Sequence, residues 1–71
     1  MNTIALLDTV ALTVDRTEHG LLAGQVGTVV ETLAPGVFEV ELCDDQGRAY
    51  ASIAVPASQL IRLHFAPAQA A

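Results

Sequence analysis

Asp15, Glu18 and His19 crowd into one stretch between two apolar segments, and carboxylates beside an imidazole are the raw material of a metal site or a proton relay. Their spacing matches no zinc or calcium loop, and a single loop histidine without a cysteine or second histidine fits a solvated loop better. Asp44 and Asp45 could act as paired carboxylates. Neighbours within Asp44-Asp45-Gln46-Gly47 more often bond their own turn backbone. No nucleophile motif such as Gly-x-Ser-x-Gly is present, and Cys43, the single cysteine, reads as a small apolar filler. Gly24 and Gly27 could form an anion-cradling loop, but a phosphate loop runs into a helix, whereas these run into Val29 and Val30 with no lysine to follow. No catalytic residue, metal site or cofactor is expected, and an enzyme is argued against further because a fold this small has little room for a substrate pocket of about 300 to 1,000 Å³.

Charge narrows the partners. Three arginines (Arg16, Arg48, Arg62), no lysine and eight acidic residues give a net charge of -5. Nucleic-acid binding through phosphate neutralisation needs clustered cations, which this chain lacks. The acidic stripe of Glu39, Glu41 and Glu31 reads as a solvated face that would suit a basic partner. The 71 residues make one domain. Apolar runs such as Ile4–Leu7 fall far short of the roughly 20 residues of a membrane span, and Asp8 interrupts any signal-peptide core. A lone cysteine fits a reducing compartment, so the expected location is the cytoplasm.

The elements that would position these side chains are strands. Residues 9–14 alternate, placing Val10, Leu12 and Val14 on one face and Thr9, Ala11 and Thr13 on the other. A long loop, 15–23, returns to the core through Leu21 and Leu22, which cannot both point inward from an extended segment. A second strand, 24–33, is expected to bend at its glycines. Ala34-Pro35-Gly36-Val37 fits a type II turn, leading to the strand 37–42 with Phe38, Val40 and Leu42 inward and Glu39 and Glu41 outward. After the turn at 44–47, strand 48–55 carries Ala49, Ala51, Ile53 and Val55 as its preferred core set. Pro56 opens a single 3₁₀ turn before a short last strand, 61–64. The expected fold is an all-β, five-stranded SH3-like barrel over residues 1–65, with a disordered tail at 66–71.

Asp8–Val14, Gly24–Glu31, Pro35–Glu41 and Asp45–Arg48 together resemble the bacterial family called domain of unknown function 4926. That resemblance implies a short, stand-alone bacterial protein with an SH3-like fold, and it carries no activity, ligand or catalytic residue. Gly24–Glu31 also resembles the KOW motif of ribosomal and transcription proteins, which implies a strand beside a basic nucleic-acid surface. The leading functional expectation is a non-enzymatic protein-interaction module, an antitoxin-like or accessory partner of a neighbouring gene's product. Its contacts would come from Arg16, Leu21, Leu22 and Tyr50. The alternatives are a KOW-like nucleic-acid binder using the three arginines, and a structural protein that self-associates through an edge strand.

Overall fold

The computed structural model describes residues 3–66, so the tail expected over 66–71 lies outside the described residues except for Ala66. The chain is all-β. Strands β1 (Thr9–Leu12), β2 (Val26–Ala34), β3 (Val37–Cys43), β4 (Ala49–Pro56) and β5 (Leu60–Arg62) form one five-stranded antiparallel sheet in the order β4-β3-β2-β1-β5. The edges of this sheet, β4 and β5, are joined only by the three-residue 3₁₀ turn Ala57–Gln59. Four inter-strand steps in a flat sheet span about 19 Å, whereas four Cα–Cα links reach at most about 15 Å and a 3₁₀ turn covers less. The sheet is therefore curled, bringing its edges towards each other around the core.

That core is mostly aliphatic and comes from every strand. Val10, Leu12, Val29, Phe38, Val40, Leu42, Ile53, Val55 and Leu60 pack together with Ile4 and Leu21. The alternation read in β3 holds residue by residue, with Phe38, Val40 and Leu42 buried and Val37, Glu39, Glu41 and Cys43 only partly so. In β4 the preferred set also points inward at Ile53 and Val55, with Ala51 packed against the core. Gly36 takes the left-handed conformation (φ 73°) that the type II turn requires.

Several boundaries differ from expectation for local reasons. β1 stops at Leu12, and Val14, expected in the core, is exposed. Thr13 donates its amide to Gln59 O in the turn before β5 (3.0 Å), and the chain then leaves the sheet. β2 begins at Val26 instead of Gly24, because Gly24 sits at φ 93°, off the extended region, inside a turn where Gln25 N–H donates to Leu22 O. The irregularities of β2 are not at the glycines. They fall between Val29 and Glu31 and between Thr32 and Ala34. Gly27 has a different task, since a Cβ there would stand 2.5 Å from Glu41 O and 2.8 Å from Val40 Cγ1, so β2 and β3 approach too closely for any side chain.

In β4, Ala49 is exposed because the register shifts, Leu42 facing Ala51 while Cys43 faces Ala49, which makes Tyr50 the extra residue of a β-bulge. The 13–25 loop contains a 3₁₀ turn of its own, Thr17–His19, closed by a bridge between Arg16 and Leu21 and by Gly20 at φ 69°. Among the described residues no helix is long and apolar enough to cross a membrane.

Candidate partner-binding surface

The bridge that closes the 13–25 loop decides which side chains it offers. Leu21 pairs back to Arg16 and turns into the core with 3% of its surface exposed. Expected from the sequence as a partner contact, Leu21 is instead packed into the core cluster and offers almost no surface. Leu22, next in the chain, points the other way and is 59% exposed. The doublet thus divides its labour, one residue in and one out.

Leu22 does not stand alone. Its amide donates to Gln25 Oε1, and Gln25 Nε2 donates to the Tyr50 hydroxyl at 2.8 Å. Tyr50 lies on the outward side of β4, at 48% exposure, and the glutamine ties it to the loop. Asp15 Oδ1 accepts the Ala23 amide at 2.9 Å, fixing the loop on its other side. Gln25 thereby links the backbone of the loop at Leu22 to the Tyr50 hydroxyl, 25 positions further along the chain. Nothing in the sequence marks Gln25 as the link, since it reads there as one more position in a glycine-flanked strand.

Arg16, the fourth expected contact, is mostly occupied by the protein itself. Its Nη1 donates to Ala54 O of edge strand β4 (3.3 Å) and to Gln59 Oε1 (3.4 Å), and its Nε pairs with Glu18 (3.1 Å). Its side chain is 18% exposed. The guanidinium pins the loop across the β4 edge, satisfying a carbonyl that no neighbouring strand takes. Its partner Glu18 has its carboxyl held below the usual value, first by the Glu18 backbone amide and then by the Arg16 hydrogen bond.

The remaining constellations take their structural roles. Asp44 Oδ1 accepts the amides of Gln46 and Arg48, both at 2.9 Å, as a turn aspartate does. Cys43 is half-buried, with its thiol 3.6 Å from Glu41 O. Among the described residues no group of His, Cys, Asp and Glu is placed to hold a metal ion. An open groove of about 630 Å³ lies between Leu7, Asp8, Arg62, Leu63, His64 and Phe65. Its Asp8 and Arg62 are engaged with each other at 3.4 Å, and Asp8 also accepts the Ala5 amide at 2.8 Å.

With this geometry in place, comparison with known proteins supplies one finding: residues 6–62 match the family model described as Domain of unknown function (DUF4926). The chain belongs to this family. Neither the curated proteins nor the solved structures give a match to it. The DUF4926 span takes in Arg16, Leu22, Gln25 and Tyr50 and stops before Leu63 and Phe65, so the loop surface falls within the family domain while the far wall of the groove falls beyond it.

Proposed function

We propose that this DUF4926 protein is a non-enzymatic protein-interaction module, an SH3-like barrel that holds another protein against the surface formed by Leu22 and Tyr50. The observation that carries this reading is the Leu22–Gln25–Tyr50 linkage, which ties the loop backbone at exposed Leu22 to the hydroxyl of exposed Tyr50 before any partner arrives. Preordering lowers the entropy that binding must overcome, and tyrosine is among the residues that most often dominate an interface. The partner envisaged is the product of a neighbouring gene, with this chain as its accessory or antitoxin-like subunit in the cytoplasm.

A protein partner is favoured over nucleic acid by where the arginines lie. Arg16 spans the β4 edge, Arg62 is paired with Asp8 in the groove, and Arg48 sits in the turn before β4. With Arg16 and Arg62 already paired to carboxylates, little free positive charge is left for a phosphate backbone. Coexpression with each adjoining gene product, followed by size-exclusion chromatography and calorimetric titration, tests the proposal. A stoichiometric complex weakened about tenfold or more by Tyr50→Ala or Leu22→Ala, at unchanged thermal midpoint, is the expected result. A complex indifferent to both substitutions, or no complex with any of these products, would overturn it.

A further inference from the structure

The outward face of the sheet holds a second surface, built from strand register. Ala11 faces Ile61 on one side and Val26 on the other, so one row across β5, β1 and β2 is wholly apolar. Ile61 is 46% exposed, whereas Ala11 is buried yet stands outside the core cluster, sunk between its larger neighbours on the opposite face from Val10 and Leu12. Beside this row opens the groove of about 630 Å³, with Leu63 in its wall and Phe65 and Leu7 at its rim, 84% and 78% exposed. Leu7 is the one described non-glycine residue at positive φ (69°), held there as its amide donates to Val29 O and Asp8 closes the turn on Ala5. A large apolar side chain in that conformation carries a local backbone cost, and here it faces solvent.

The other half of the same face is acidic. Glu31 and Glu39 are direct cross-strand partners, and Glu41 follows two positions along β3. Among the described residues no arginine lies within ion-pair distance of any of the three. The face therefore runs from an apolar row on β5, β1 and β2, past Thr9 and Thr28, to an uncompensated anionic region over β2 and β3.

We propose that this face docks a basic amphipathic segment of a partner protein. Its apolar side chains would lie over Ile61, Ala11 and Val26 with one entering the groove beside Leu7, Leu63 and Phe65, and its lysines or arginines would meet Glu31, Glu39 and Glu41. Charge complementarity selects this occupant over a second copy of the chain. A copy brings three arginines, two already in ion pairs, and a net charge of -5 against the same sign. The surface uses none of Leu22, Gln25 and Tyr50, so it stands whether or not the loop surface binds.

The test is titration of the full-length, isotope-labelled chain with a synthetic helical peptide of leucine and lysine in amphipathic spacing, and with its leucine–glutamate counterpart, read by amide chemical shifts. Saturable shifts at Ile61, Leu63, Glu39 and Glu41 with the lysine peptide alone are expected. Affinity should fall about tenfold with Glu39→Gln/Glu41→Gln and with Ile61→Ser or Phe65→Ser, and should be unchanged in Tyr50→Ala. Phe65 is almost fully exposed, so its substitution reads binding even where Ile61→Ser disturbs folding. The proposal is overturned by absence of saturable shifts, by equal binding of the glutamate peptide, or by shifts centred on Leu22 and Tyr50. Binding indifferent to both serine substitutions, which is diffuse charge attraction, also overturns it, as does a dimer that Phe65→Ser dissolves.

Discussion

Arg16 shows how a residue type that invites a functional reading can be claimed by the fold. Exposed arginines in long loops are candidate contacts on sequence grounds, but this one reaches an unpaired carbonyl on an edge strand and the side chain of Gln59. Sequence separation of 38 and 43 positions hides those bonds from any local pattern. Leu21 and Leu22 are the reverse case: their adjacency alone indicates that one must face out, and only the Arg16–Leu21 bridge decides which. Replacing Arg16 with Ala removes charge-assisted hydrogen bonds and uncovers the β4 edge, and is expected to destabilise the fold by about 1–2 kcal/mol, measured by urea unfolding. Glu18 adds a pH dependence with a definite sign. Its folded-state pKa lies below the ordinary carboxylate value, so its contribution is present above that ordinary value and is lost as pH falls through the lowered one. The thermal midpoint of Glu18→Gln should lie below that of the wild type at neutral pH and converge on it in acid, a trend that differential scanning calorimetry from pH 7 to about pH 3 would show.

At the level of elements, the clearest strand in the sequence, β3, is also the one the structure reproduces position by position, because it lies between two partners and its period-two pattern meets a core on one side only. β4 is less legible in its sequence. Tyr50 breaks its alternation as the extra residue opposite Cys43, and the sequence has no turn residue there to announce a bulge. β1 carries a different lesson: Ala11 is buried although it faces away from the core, so a small residue between Val26 and Ile61 imitates a two-sided strand. The glycines of β2 are visible as architectural signals, but their tasks separate only in three dimensions. Gly24 supplies positive φ in open space, while Gly27 is hemmed in by the backbone of β3. Gly27→Ala must push two central strands apart and is expected to cost about 2–3 kcal/mol or more, whereas Gly24→Ala carries only left-handed strain of about 1–2 kcal/mol. Chemical denaturation of the two variants would show the ordering, and equal stability would contradict the close-approach role of Gly27.

For the whole molecule, the arrangement of charge matters more than its total. A net charge of -5 alone favours solubility, but placing Glu31 directly opposite Glu39, with Glu41 beside them, sets like charges against each other on one face. Ser52 donates to Glu39 Oε2 at 3.0 Å and relieves part of that repulsion without cancelling it. Strand pairing therefore proceeds against an electrostatic cost that a basic partner would remove. Glu31→Lys converts the repulsive pair into an attractive one while leaving the Ser52–Glu39 bond in place, and should stabilise the fold by about 0.5 kcal/mol at low salt. Salt screens such exposed charges over about 10 Å at 0.1 M, so added sodium chloride should stabilise the wild type and narrow its difference from Glu31→Lys. Urea midpoints of both proteins at low and high salt measure this directly. The same substitution should weaken the lysine peptide, so that stability and binding move in opposite directions, as expected where a surface is shaped for a partner at the expense of the isolated fold. If Glu31→Lys is no more stable than the wild type at low salt, the acidic face carries no such cost, and its charge has to be explained by solubility alone.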